Sequence, residues 1–148
     1  MPASRSPRDD RANTAIGAVR EVYAELAARP VERNCIRRTE CCQFRHTGYT
    51  PWLTDAEAVV AAKAFRATGR TRLQEPADGS CPMLDARSGR CLIYADRPFA
   101  CRTHFCAAAG GPYTRREVLD LIRRLEAISA VLGGDGPRPI ASALAAYM

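Results

Sequence analysis

The sequence predicts a mostly α fold: a small helical domain interrupted by a cysteine-rich segment of loops and one short hairpin. Three observations carry this. Apolar residues recur at helical spacing in several segments, two of those segments open with a Thr-x-x-Glu capping pattern, and the seven cysteines fall outside the apolar stripes. The 148 residues fit one domain, which at this length buries roughly two-thirds of the surface its unfolded form exposes. An apolar fraction of 47% and a charged fraction of 26% are those of an ordinary globular protein, which excludes a fibrous or wholly disordered chain.

Residues 1–10, rich in Ser, Pro, Arg and Asp, are expected to form a disordered tail, with a single domain over 11–148. "NTAIGAVREVYAELAARP" aligns Ile16, Val19, Tyr23 and Leu26 on one helical face, with Asn13 or Thr14 as cap and Pro30 as stop. "LTDAEAVVAAKAFRATGR" begins with a capping box at Thr54 and Glu57 and ends at Gly69, a residue free to take the left-handed conformation. The clearest helix is "YTRREVLDLIRRLEAISAVLGG", with a second box at Thr114 and Glu117 and a stripe of Val118, Leu121, Ile122, Leu125, Ile128 and Leu132. Its other face reads as solvated charge, with Asp120 placed to pair with Arg123 or Arg124. A short closing helix puts Ile140, Leu144 and Tyr147 together, completing a helical part over 113–147.

Between these helices "CPMLDARSGRCLIY" sets two apolar runs around a Ser-Gly turn, which predicts a hairpin carrying Cys81 and Cys91 with both sulfurs on one side. In "ADRPFACRTHFC", Asp96 is a candidate N-cap and Pro98 a first-turn residue for one or two helical turns over 99–105. Trp52 and Tyr94 read as core or shielding groups.

No apolar run in "MPASRSPRDDR" suits a signal peptide, and no segment approaches the roughly 18 uncharged residues of a membrane span. The expectation is a cytoplasmic protein without a membrane partner. Thiols there stay reduced, so seven cysteines point to metal ligation or redox chemistry before disulfides. The net charge of +6 is a weak argument for a nucleic-acid partner, because ionising all seven thiols as ligands would bring it to −1.

Cys35, Cys41, Cys42, Cys81, Cys91, Cys101 and Cys106 lie in turn-forming stretches, grouped in segments 35–46 and 81–106, where the backbone can bend several sulfurs toward one cation. A closed zinc site or a four-iron cluster takes four ligands, so seven thiols mean two centres, or one with spare thiols. Adjacent side chains diverge, so Cys41 and Cys42 would serve separate metals, bridge, or include one buried free thiol. His104, three residues after Cys101, is a candidate ligand or supporting donor. Arg97 and Arg102 could donate to thiolates, fix loop carbonyls or form surface ion pairs.

The order "C..R..CC", "GYTPWLTDAEA", "CPML", "CLIYADRPFACR" and Cys106 resembles the YkgJ-type cysteine-cluster family over about residues 35–106. The resemblance implies chelation of zinc or iron, an iron–sulfur cluster included, with Cys35, Cys41 and Cys42 at ligand positions. The family begins CxxCxxCC, whereas here Arg38 stands at the second cysteine. Arginine remains protonated and cannot act as a thiolate. His46, or less readily Glu40, is the nearby candidate to complete such a site; otherwise the site keeps an open position or is impaired.

The leading expectation is therefore a metal-chelating protein in metal handling or electron transfer, with a protein partner open. A similar cysteine cluster occurs in flagellin lysine methylases, which implies the alternative of a cluster-bearing component of a protein-modifying enzyme. The chain contains no dinucleotide loop, Walker sequence or nucleophile elbow. A zinc-dependent nucleic-acid or protein interaction module ranks lower, since no finger spacing matches. Reactive-thiol redox sensing would fall to Cys106.

Overall fold

The computed structural model describes residues 4, 6–29, 50–74, 76–104 and 113–148, and their architecture is mostly helical. Five helices, two 2-residue strands and a 3-10 turn follow in the order α1 (Pro7–Ala28), β1 (Trp52–Leu53), α2 (Asp55–Ala67), the 3-10 turn (Tyr94–Asp96), α3 (Phe99–Thr103), α4 (Arg115–Val131), β2 (Arg138–Pro139) and α5 (Ile140–Ala145). Among the described residues no helix is long and apolar enough to cross a membrane.

The three long helices each begin at a reciprocal capping box, where the cap hydroxyl accepts from the third amide and the third carboxylate accepts from the cap amide. Two of these, Thr54 with Glu57 and Thr114 with Glu117, lie where the sequence predicts them. The first corrects it. α1 starts at Pro7, not after a tail ending at residue 10, because Ser6 caps, Pro7 takes the first position and Asp9 returns the bond. A proline there costs no hydrogen bond and already has helical φ, so Asn13 and Thr14 sit inside the helix. The proposed stop, Pro30, lies outside the described residues.

Two apolar clusters hold the helices together. The first joins Ile16, Val19, Val22, Tyr23 and Leu26 of α1 to Ala56 and Val60 of α2 and to Val118, Leu121 and Leu125 of α4, with Phe99 of α3 completing it. The second lies on the other side of α2, where Ala58, Ala61 and Phe65 meet Leu53, Cys81, Met83, Ile93 and the α5 residues Ile140, Ala143 and Leu144. α2 is thus apolar on nearly every side, as a helix between two cores must be. Its one orphan amide toward α4, that of Ala56, donates to the buried Ser129 Oγ at 2.8 Å.

The charged faces pair across helices. Asp120 takes Arg29 of α1 at 2.5 Å, and Arg124 takes Glu25, in place of the predicted pairing within α4. α1 and α4 lie side by side, so these arginines reach acids on the neighbouring helix.

β1 and β2 pair antiparallel, Trp52 with Pro139 and Leu53 with Arg138, and bring residues 134–147 over the start of α2. There the buried Asp55 accepts from Arg138 Nη2 at 2.6 Å, Tyr147 Oη at 2.8 Å and the Asp135 amide at 3.1 Å. A Cβ on Gly134 would come within 2.5 Å of Asp55 Oδ2, so glycine is what permits that approach. Trp52 departs from expectation: it is 57% exposed, because the strand alternation that buries Leu53 turns its neighbour outward.

Two outcomes test this packing. Ser129→Ala leaves the Ala56 amide buried without an acceptor, and urea unfolding should show a loss of about 1–3 kcal/mol. Burial, then the hydrogen bond and charge of Asp55, push the Tyr147 phenol up to about 12 from 10.0. The folded value lies above the unfolded one, so the neutral phenol's contribution is complete below pH 10 and is lost as pH rises toward 12. The stability difference between wild type and Tyr147→Phe should narrow across that window.

Candidate functional site

The thiol-bearing stretch from 81 to 104 lies against both clusters and is built of turns. Cys81 opens a turn closed by the Leu84 amide on its carbonyl at 3.0 Å. The chain then reverses through Asp85–Arg90, where Gly89, at φ +67, takes the left-handed conformation the bend requires. The expected hairpin contracts to one bridge, Leu84 opposite Cys91, supported by bonds from Asp85 N to Arg90 O and from Leu92 N to Met83 O, both 2.8 Å. Cys81 is buried in the second cluster and Cys91 packs against that same cluster. Two cysteines ten positions apart are therefore gathered onto one apolar surface.

Next, the 3-10 turn and α3 form a compact knuckle. Asp96 does not cap α3 as predicted; its carboxylate instead takes Arg20 of α1 through two bonds, 3.1 and 3.2 Å, and Pro98 holds the cap position. Arg97 donates to the Tyr94 carbonyl at 3.0 Å and stacks over that ring. Arg102 donates to the carbonyls of Arg97 at 2.7 Å and Ala95 at 2.6 Å while lying 4.1 Å over the Tyr23 ring. Of the three roles open to these arginines, fixing loop carbonyls is seen for both. Burial lowers the Arg102 pKa, yet a guanidinium remains charged.

Cys101 lies in the middle of α3, half-buried, and His104 follows directly after the helix ends. Burial holds the His104 imidazole below its ordinary pKa of 6.5, which favours the neutral ring that ligation requires. Cys81, Cys91 and Cys101 are the cysteines among the described residues. Cys35, Cys41, Cys42, Cys106 and His46, with Arg38 and Glu40, lie outside the described residues. Among the described residues no group of three or more Cys, His, Asp or Glu side chains is close enough to hold a metal ion.

A feature that the sequence reading missed is Glu57. Beyond its capping role it is 3% exposed, with Oε2 accepting from the Thr54 amide and hydroxyl, both 3.0 Å, and Oε1 from Tyr23 Oη at 3.0 Å and the Phe99 amide at 2.7 Å. Burial raises its pKa, against the opposing effect of those four bonds, and burial with the nearby Glu57 raises that of Tyr23 well above 10.0. A capping pattern alone cannot reveal this. The available signal was that the glutamate stands within one of the elements of the family resemblance. Beside it a cavity of about 400 Å³ opens between Trp52, Phe99, Tyr113 and the apolar residues of α4. Four donors fill the carboxylate's acceptor positions, so Glu57 belongs to the wall of that cavity and is not a free anchor for a ligand.

The fold defines a class: a small helical scaffold whose described cysteines lie in the connecting turns and in one short helix. Its membership is shown by comparison. A family described as "CxxCxxCC: Putative zinc- or iron-chelating domain" matches residues 34–120, more than half the chain, and the protein belongs to that family. No curated protein and no solved structure matches the chain.

The arginine knuckle gives a direct test. Lysine lacks the planar fork that reaches two carbonyls while stacking on a ring, so Arg102→Lys should lower unfolding stability by about 1–2 kcal/mol, measured in urea.

Proposed function

We propose that the protein chelates zinc or iron through cysteine thiolates drawn from segments 35–42 and 81–106, and works in metal handling or electron transfer. The observation that carries this is the gathering of Cys81 and Cys91 onto one surface, inside the stretch matched by the chelating family. Thiols are soft donors suited to both metals, so the described donors fit either. With three cysteines among the described residues, a four-thiolate centre draws at least one donor from Cys35, Cys41, Cys42 or Cys106. Cys101 supplies a ligand from the knuckle and Cys106 another, with His104 as a further donor and His46 as the substitute where Arg38 interrupts the family pattern. When bound, zinc supplies a structural cross-link and iron an electron-transfer centre.

The helices supply rigidity. The Arg97 and Arg102 bonds to loop carbonyls hold the turns that carry the thiols before any metal arrives, which lowers the ordering cost of binding.

Anaerobic purification with elemental analysis and an absorption spectrum tests the proposal. The protein should retain metal through desalting, brown if it holds iron–sulfur and colourless if zinc. Cys91→Ser or Cys101→Ser should lower both retained metal and melting temperature. Metal-free wild type, with stability unchanged by these substitutions or by a chelator, would overturn it.

A further inference from the structure

We propose that Glu57 is a positioning residue for the metal centre, fixing the α3 turn through the Phe99 amide so that Cys101 presents its sulfur at a set place. This rests on the thiolate-chelation reading above.

A five-residue helix has no stability of its own, because the cost of nucleation exceeds the return from so few bonds. No side chain of its own segment caps α3. Its position must be imposed from outside, and the contacts that do so form a closed circuit. Glu57 Oε1 accepts from the Phe99 amide and from Tyr23 Oη. The Tyr23 ring carries the Arg102 guanidinium on its face. Arg102 returns to α3, three residues after Phe99, and ties the turn to the carbonyls of Ala95 and Arg97. Cys101 lies between the two ends of this circuit.

A glutamate acting as a cap alone would need one oxygen, and here Oε2 fulfils that duty with Thr54. The other oxygen faces two different elements. Because Tyr23 is in α1 and Glu57 in α2, the turn that carries the thiol is referred to both helices at once. Metal–ligand distances tolerate only about 0.2 Å, and loss of an orienting partner typically weakens metal affinity about 10- to 100-fold.

The capping box of α1 uses Asp9, so an aspartate at this position keeps a cap in this protein. Glu57→Asp therefore preserves the start of α2 while withdrawing the carboxylate from Phe99. Cobalt(II) serves as the probe, added to apo protein, with folded fraction matched by circular dichroism. Glu57→Asp should weaken cobalt binding about 10- to 100-fold in chelator competition and shift the ligand-field bands. Equal affinity and identical bands for Glu57→Asp and wild type would overturn the proposal while leaving chelation intact, provided that Cys101→Ser weakens binding. If Cys101→Ser binds cobalt as wild type does, Cys101 is no ligand and this inference falls with that assignment. Hydrogen exchange on unaltered protein reads independently of folding defects. The Phe99 amide should be protected like the core amides of α2, and exchange at the rate of an open loop would overturn the role.

Discussion

A carboxylate sealed between three helices, with no ion pair among the described residues, is the constraint on which the arrangement depends. Removing a charge from water is costly, and Glu57 offsets that cost through four donors supplied by α1, α2 and α3. Each donor must therefore be where it is. The same requirement that keeps the carboxylate solvated by protein also locates the tyrosine that carries Arg102 and the amide that begins the thiol-bearing turn. Apolar packing of Phe99 alone would permit small slides of α3 against the first cluster. Directional bonds to one oxygen do not.

Around this point the molecule divides its labour. Long helices, each started by a reciprocal cap, supply two cores with α2 between them. The turns that carry Cys81, Cys91 and Cys101 are short and lack internal stability, and they are held by arginine forks, a bidentate ion pair to α1 and burial against the cores. Such a division suits a family of zinc- or iron-chelating domains. Ligand segments must bend toward a small cation, and bending is easier for turns than for helices.

The helices were legible because their signals are local. Thr54 with Glu57 and Thr114 with Glu117 announce themselves within four residues, and the Val118-to-Leu132 stripe needs only its own spacing. What sequence could not give was the identity of partners across helices. Asp120 has two arginines within reach on its own helix, yet Arg29 of α1 takes it, because helix packing brings that side chain closer. Asp96 looked like a cap for the same reason; a bidentate arginine from α1 competes better than one amide. The early start of α1 was overlooked because Ser6, Pro7 and Asp9 read as tail composition, although together they form an initiation signal. In the candidate site, the turn at Ser88–Gly89 that returns the chain from Cys81 to Cys91 was readable from its own residues. The buried connections of Glu57 and Tyr23 arise from long-range packing, for which neither residue carries a mark.

The pairing of residues 52–53 with 138–139 has a bearing on assembly during synthesis. Leu53 and Phe65 wait for Ile140 and Leu144 to cover them, so the second core stays open until residues more than eighty positions after Leu53 have been made. Cys81 and Cys91 emerge well before that cover arrives. Until residues 140–144 are made, the cluster against which Cys81 and Cys91 pack lacks that cover.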